Sequence, residues 1–298
     1  MSRRTTGKQR GHLVTALLFL LPLIAFYGIY YLYSFVFLAR ISTERVSLTF
    51  VGAVDVGWEN FRLVVTDPVF LTSLVNTFAF AGIAIVAGLT VGFVLAIILA
   101  TGVRGRKVFY AIFLIPSLIP LSLFATVFGQ MLETQDGAFN RILRAIGLGG
   151  LQQEWLSNTG PAYVAVAILL VYLVGLPIMY YTSDIPAANL DLVEAALLDG
   201  AGPWQIFRLI LFPLLRTTHI TVILSVLLGS FRAFDLIYFS TGGAPGGRTN
   251  IVGVYIYNAT LGHDRVGYAA AASVIVLIVA LSISAVQMFL TRRGADRV

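Results

Sequence analysis

Long apolar runs without charged residues alternate with short polar segments along this chain of 298 residues. A helix that crosses a bilayer needs about 20 consecutive apolar residues, and several of these runs are long enough. We therefore predict an all-α membrane protein with six transmembrane helices. A basic N-terminal tail, residues 1–12, is expected to precede a single transmembrane domain, residues 13–298. The spans are expected at residues 13–39, within 69–103, at 108–132, at 161–183, from 217 onward and at 266–291.

Two of the predicted spans contain residues that disturb a membrane helix. Pro116 and Pro120 lie inside the third span. They would either cause a simple kink or leave backbone carbonyls without their helical hydrogen bonds, and these carbonyls would then line a pore. The fifth span meets Arg232 only about 22 Å along the helix from residue 217, whereas the hydrocarbon core is about 30 Å thick. This helix either continues through Arg232 and Asp235 or ends and unwinds there.

The positively charged segments indicate how the chain is oriented. An even number of spans places both termini on one side, together with the basic tail, residues 104–107 and residues 292–297. Lys and Arg are enriched on the cytoplasmic side of membrane proteins, so the tail and both termini are predicted to be cytoplasmic. Residues 184–216 fall on the same side although they contain more acidic than basic groups, which is typical of a surface that binds protein.

Composition excludes several classes of protein. With 58% hydrophobic and 11% charged residues, the chain is not a soluble domain. The net charge of +6 lies in the segments beside the apolar runs, which indicates membrane orientation rather than nucleic-acid binding. The chain has no cysteine, which excludes disulfides and thiolate metal sites. The histidines, His12, His219 and His263, are isolated, and His219 beside Arg216 is interpreted as a membrane-interface residue.

The segment between the fourth and fifth predicted spans, residues 184–216, is called the elbow here. Leu190, Val193 and Leu197 recur at helical spacing and predict one face of a short helix. Gly200 then permits a turn with positive φ, and Pro203 suits the first position of a second helix. The elbow is thus predicted to be a helix, a glycine turn and a second helix outside the lipid.

Several motifs resemble those of binding-protein-dependent ABC importer permeases. The elbow residues Glu194-Ala195-Ala196, Asp199-Gly200-Ala201, Ile210 and Phe212-Pro213 are similar to the cytoplasmic EAA loop of that family. Phe212 stands where the family commonly has leucine. The wider string around the loop resembles the carbohydrate-uptake branch, the maltose and glycerol-phosphate type. Supporting matches are Asn76-Thr77, Ile115-Pro116-Ser117-Leu118-Ile119-Pro120, and Phe234-Asp235-Leu236-Ile237-Tyr238 followed by Thr241-Gly242-Gly243-Ala244-Pro245, where Ala244 and the extra glycines depart from the family.

The resemblance implies a type I ABC importer permease fold in a bacterial or archaeal plasma membrane. It implies a second homologous permease, two copies of an ABC ATPase, an extracytoplasmic solute-binding protein and membrane lipid as partners, and no nucleic acid. ATP and Mg would be bound by the ATPase subunits and no cofactor by this chain, which is not itself an enzyme. The residues implied to contact the ATPase are Leu190, Val193, Glu194, Ala195, Ala196, Leu197, Asp199, Gly200 and Ala201.

Five side chains are candidates for the solute pathway. Tyr172, Tyr180 and Tyr181 in the fourth predicted span would stack on a sugar ring or serve ordinary helix packing. Arg232 and Asp235 are spaced to share a helix face and pair. Charges at such depth normally face a bundle interior or a wet cavity. They would either line the external mouth of a pore or form a structural pair that fixes the end of the helix.

Three other functions are alternatives to the permease: nucleotide binding, membrane-enzyme activity and stand-alone transport. Residues 242–249 approach a phosphate-binding loop pattern, but Arg248 replaces its lysine and no strand precedes it, so a flexible glycine loop is predicted. A multi-span membrane enzyme acting on lipid-linked sugars would need paired acids at catalytic positions, which the sequence does not offer. A stand-alone channel or secondary transporter is the other alternative, and copurification of an ATPase would distinguish it from the permease.

Overall fold

The computed structural model describes residues 7–100, 103–135, 137–187 and 191–295, and these residues are mostly helical. Two short strands, β1 (Glu44–Arg45) and β2 (Val54–Asp55), form an antiparallel pair. The α-helices in the described ranges are α1 Gly7–Ser42, α2 Glu59–Thr66, α3 Pro68–Ala87, α4 Phe93–Ala100, α5 Arg106–Leu118, α6 Leu121–Met131, α7 Ala138–Ala145, α8 Thr159–Tyr172, α9 Gly175–Asp184, α10 Asp191–Leu198, α11 Pro203–Ile206, α12 Phe212–Leu214, α13 Arg216–Ser230, α14 Phe234–Ser240, α15 Val252–Tyr257 and α16 Val266–Ala295.

Short irregular turns continue or join several of these helices. Gly88–Gly92 is a π-helical turn that joins α3 to α4, so that the two helices form one uninterrupted rod. Other π-helical turns lie at Phe207–Leu211 and Asn258–Gly262, and 3₁₀ turns lie at Gly149–Leu151 and Ile185–Ala187.

Four helical stretches of the described chain are long and apolar enough to cross a membrane: Leu18–Ser42, Pro68–Ala100, Thr159–Asp184 and Val266–Val286. Two bent helix pairs would raise the number of spans to six if each pair forms one span. The first pair is α5 with α6, and the second is Pro203–Leu214 with α13. The predicted apolar regions are therefore helical, and the all-α membrane fold is confirmed.

The predicted third span, residues 108–132, is divided into α5 and α6 by a sharp bend. The axes of α5 and α6 differ by 95°, which is far more than a simple kink. Ile119 is extended, with φ −74° and ψ 141°, because the ring of Pro120 disfavours helical geometry in the residue before it. Pro120 also has no N–H to continue the helix, so the chain turns sharply between Leu118 and Leu121.

The fifth predicted span follows the second of its two alternatives. Helix α13 ends at Ser230, residues 231–233 form a turn, and α14 begins at Phe234. Arg232 therefore lies in a break between two helices, and Asp235 lies in the first turn of α14. The two residues do not share one continuous helix face.

The described chain divides into two compact units, and the first comprises residues up to 64 together with 259–274. Its β-pair is fixed by Asn60, whose Nδ2 donates hydrogen bonds to the carbonyls of Ser42 and Glu44 at 3.0 and 2.9 Å. The backbone N–H of Leu48 donates to Asp264 Oδ1 at 2.6 Å. These bonds join residues that are distant in sequence into one small polar layer.

The second unit comprises residues 65–258 and 275 onward. Helices α3, α8, α14 and α15 contribute to one buried apolar cluster or its immediate surroundings. Helix α6 approaches α14 so closely that a Cβ on Gly129 would lie 2.7 Å from the carbonyl oxygen of Ser240. Close packing at a glycine is a common way for membrane helices to approach each other. The buried members of the apolar cluster to which α3, α8, α14 and α15 contribute are Phe80, Val166, Ile237, Ile251 and Val254.

Candidate functional site

The elbow has the helix–turn–helix form that its sequence predicts. Helix α10 ends at Leu198, and Gly200 follows with φ +80°, a conformation that glycine adopts without the strain of a Cβ. The Ala201 N–H donates to the Ala196 carbonyl at 2.9 Å and closes the end of the helix. Pro203 is the first residue of α11. The position of Gly200 and the start of the second helix are thereby confirmed.

Helix α10 presents apolar side chains without burying them. None of its residues is buried in the isolated chain. Leu198 is 89% exposed, and Leu197 is 58% exposed. These side chains form an apolar surface that the chain itself does not cover. Among the other implied ATPase contacts, Val193 and Ala196 are half-buried and Glu194, Ala195 and Asp199 are exposed, whereas Leu190 lies outside the described residues.

The second half of the elbow is held by an aromatic cluster that the sequence did not reveal. We call Phe93, Tyr181, Phe207, Phe212 and His219 the anchor cluster. The His219 ring lies 4.4 Å from Phe212 and 5.0 Å from Phe93, and Phe93 lies 4.8 Å from Tyr181, between ring centroids. The cluster joins the elbow at Phe207 and Phe212 to α4, α9 and α13.

His219 is buried inside this cluster. Its Nε2 lies 3.0 Å from the Phe212 carbonyl oxygen, and its Nδ1 lies 2.7 Å from the Tyr181 hydroxyl. A carbonyl can only accept, so Nε2 carries the proton and Nδ1 accepts from Tyr181 in the neutral ring. Sequence spacing gave no signal for this contact, because Tyr181 and His219 are 38 positions apart.

A cavity of about 240 Å³ lies where three helix breaks meet. Leu121 follows the α5–α6 break, Leu173 lies between α8 and α9, and Ala233 lies between α13 and α14, and all three line the cavity. Tyr180 lines it as well, as does Ser117. The walls are mainly apolar with a few hydroxyl groups, which is the usual character of a small-molecule site.

Ser117 is the polar group of this cavity that lacks a partner. Its Oγ is buried, and within the described part of the chain no hydrogen bond to it is found. An unpaired buried hydroxyl costs about 1–3 kcal/mol. A bound ligand or a water molecule in the cavity would remove that cost. Ser117 belongs to the run at residues 115–120 that supported the family resemblance.

The structure brings only part of the predicted solute pathway together. Tyr180 lines the cavity, but Arg232 and Asp235 are exposed and do not. Within the described residues no ion pair joins Arg232 to Asp235. The expected pairing was therefore wrong, since the helix break separates the two side chains. Tyr172 ends α8, and its side chain lies outside those described.

The glycine loop after α14 is held in place, which corrects its prediction as flexible. Asn76 Nδ2 donates to the carbonyls of Arg248 and Asn250 at 2.6 and 2.8 Å. The Tyr163 hydroxyl donates to the Arg248 carbonyl at 2.9 Å. The N–H of Val252 donates to Thr77 Oγ1 at 3.1 Å. Asn76 and Thr77 are thus a polar clamp on this loop, which accounts for a polar pair inside an apolar run.

No group of three or more His, Cys, Asp or Glu side chains that could hold a metal ion occurs among the described residues.

Comparisons with known proteins agree with these features. A family described as "Binding-protein-dependent transport system inner membrane component" matches residues 88–295. The probable ABC transporter permease protein YurN of Bacillus subtilis is 31% identical, over 94% of this chain and 96% of its own. The trehalose/maltose transport system permease protein MalF of Thermococcus litoralis is 31% identical, over 81% of each chain.

The fold is also found in a solved structure. It is the crystal structure of a bacterial alginate ABC transporter in complex with an alginate pentasaccharide-bound periplasmic protein. The match has a TM-score of 0.77 at 22% identity and covers 96% of both chains. At that identity the likeness shows the fold alone.

Proposed function

This chain belongs to the family of binding-protein-dependent transport system inner membrane components, the ABC transporter permeases, and we propose that it imports a sugar or a sugar-like solute. The observation that carries the proposal is the 31% identity to a permease of a trehalose/maltose transport system. The alginate transporter of the same fold also acts on a carbohydrate. Neither a membrane enzyme nor a stand-alone secondary transporter fits this family.

The elbow is proposed to couple ATP hydrolysis in a separate subunit to movement of the permease. The exposed Leu197 and Leu198 supply an apolar contact that an ATPase cleft could bury. The anchor cluster would transmit displacement of the elbow to α9 and α13, because His219 bonds to the Phe212 carbonyl and to Tyr181. Rigid aromatic packing of this kind moves as a unit rather than deforming.

The cavity between the helix breaks is proposed to form part of the solute pathway. Tyr180 and the unpaired Ser117 Oγ offer a ring surface and a hydrogen-bonding group to a sugar. Helices α9 and α13 both line the cavity and both belong to the anchor cluster. Movement of the elbow would therefore change the cavity, which is the requirement for alternating access. Arg232 and Asp235, both exposed, are proposed to lie at the external mouth of the same pathway.

The proposed assembly contains this chain, a second homologous permease, two ATPase subunits that bind ATP and Mg, and an extracytoplasmic solute-binding protein. Such a periplasmic protein is present in the alginate transporter structure. Both termini and the elbow are proposed to be cytoplasmic. The N-terminal tail, residues 104–107 and residues 292–297 are basic, and basic segments favour the cytoplasmic side of a membrane.

The proposal is tested by expressing the tagged chain with its neighbouring reading frames. We expect an ABC ATPase, a second permease and a solute-binding protein to copurify or to be required for uptake. Uptake of radiolabelled maltose, trehalose and oligosaccharides in vesicles should depend on ATP. Uptake that is driven by an ion gradient with no ATPase present would contradict the proposal.

A further inference from the structure

A second cavity, of about 660 Å³, lies between the end of α4, the start of α5 and the end of α9. Arg106 and Lys107 line one part of it, and Leu99, Tyr110 and Met179 line another. We propose that this cavity binds the headgroup of an anionic phospholipid. Its volume is in the range of cavities that hold small ligands, about 300–1,000 Å³.

The charge of the lining is positive and uncompensated. Arg106 and Lys107 are both exposed, and neither forms an ion pair with another described residue. No carboxylate among the described residues lines the cavity. Asp184, just beyond the lining residue Ser183, accepts a hydrogen bond from Thr218 Oγ1 at 2.7 Å. Two free cations beside a hydroxyl-bearing wall are suited to a phosphate group.

The position of the cavity selects a lipid as the source of that phosphate. Two candidate spans, Pro68–Ala100 and Thr159–Asp184, end at the cavity, so it lies where both leave the apolar layer. The side chains of Leu99 and Met179 provide apolar contact for the glycerol and acyl part of a lipid. Basic pockets between membrane helices on the cytoplasmic side bind anionic headgroups in this way. A free phosphate would use the cations alone and leave the apolar wall without a contact.

Occupation of this cavity would act on the start of the elbow. Ile185 and Pro186 form part of its wall, and α10 begins at Asp191. A bound headgroup would therefore restrict Ile185 and Pro186, which lie at the start of the elbow. The binding itself does not depend on the proposed transport function.

The test uses the full chain purified in neutral detergent with the subunits that it retains. Short-chain phosphatidylglycerol is titrated while the melting temperature is measured, and phosphatidylcholine and free glycerol phosphate are titrated in parallel. We expect phosphatidylglycerol to raise the melting temperature. Arg106→Gln or Lys107→Gln should each weaken the response about fivefold, and the double variant about 25-fold. Arg104→Gln removes the same charge just before α5, outside the cavity lining, and should change little.

A conservative variant keeps the test independent of folding. Lys107→Arg retains the charge and should retain the response to phosphatidylglycerol. An equal response to phosphatidylcholine would overturn the proposal, as would an equal loss in Arg104→Gln. If glycerol phosphate alone reproduces the shift, the cavity is a site for a soluble anion. If the double variant loses a copurifying subunit and binds lipid normally, the cavity is a protein contact, and the proposal is wrong.

Discussion

At the residue scale, the effect of substituting Gly200 can be predicted, because only its backbone conformation, and not the space around it, requires glycine. Its φ of +80° is unfavourable for residues with a Cβ, yet an added Cβ would meet no atom within 4 Å. The cost of Gly200→Ala is therefore conformational, about 1–2 kcal/mol. That cost lowers the population of the turn by a factor of about 5–30.

We expect Gly200→Ala to reduce solute uptake several-fold while the amount of protein in the membrane stays unchanged. Gly202→Ala is the matched control, because Gly202 has φ −73° and needs no glycine. Uptake in vesicles and immunoblotting of membranes provide the measurements. Equal uptake by both variants would show that the turn geometry is not needed for transport.

His219 gives a second prediction at this scale, on stability. His219→Leu leaves the Phe212 carbonyl and the Tyr181 hydroxyl without their present partner, and each unpaired buried group costs about 1–3 kcal/mol. We expect a lower melting temperature of the purified protein. His263→Leu makes the same chemical change at an exposed position and should have little effect. A melting temperature that stays equal in the two variants would contradict this account of the anchor cluster.

Single residues were predictable where the backbone alone sets the requirement. Gly200 and Pro203 were identified from the sequence because the conformations they favour are local. His219 and Asn76 were not, because each acts through a partner far along the chain: Tyr181 for His219, and Arg248 and Asn250 for Asn76. The only signal in the sequence was a polar residue in apolar surroundings, which does not identify its partner.

At the element scale, α10 carries apolar side chains that are exposed. A substitution there can therefore change binding to a partner without changing the stability of the chain. Leu198 is 89% exposed, so Leu198→Asp should leave the stability of the chain nearly unchanged. The same charge placed in an apolar contact would be buried without a partner, which is costly. We expect Leu198→Asp to abolish copurification of the ATPase.

The control for this prediction lies in the predicted external loop. Leu151 is 57% exposed, and Leu151→Asp adds the same charge far along the chain from the elbow. It should leave ATPase copurification intact. Normal copurification with Leu198→Asp, measured by pull-down and immunoblot, would place the contact elsewhere.

Helix breaks were predicted unevenly, for a physical reason. Pro120 indicated the α5–α6 break, although the 95° bend exceeds a simple kink. The break at residues 231–233 contains no proline or glycine, and its only signal was the charge on Arg232. The bend of 68° between the elbow and α13 lies at Leu215, which is buried in a cluster with Phe93 and Tyr181 from distant parts of the chain. Local propensity cannot specify a break that is imposed by tertiary contacts.

At the scale of the whole molecule, the apolar runs and the family motifs were sufficient to predict the helical membrane fold. They could not give the two short strands, whose formation depends on Asn60 and on residues more than 200 positions away, such as the Leu48–Asp264 contact. They also could not give the sharply bent pairs, which leave four straight candidate spans among the described residues and six if each pair is one span. The number of crossings is therefore the property of the whole chain that most needs a direct test.

The chain contains no cysteine, so single cysteines report topology without a background signal. We expect a cysteine at Asp199 to be protected from a membrane-impermeant maleimide in intact cells and labelled after the membrane is opened. A cysteine at Leu151 should be labelled in intact cells, because an odd number of crossings separates the two loops if α8 and α9 form one span. Both positions are exposed in the isolated chain, so burial within this subunit does not explain protection. Labelling at position 199 with protection at position 151 would place the elbow on the external side and would overturn the predicted orientation, whereas the same result at both positions would mean that residues 159–184 do not cross the membrane.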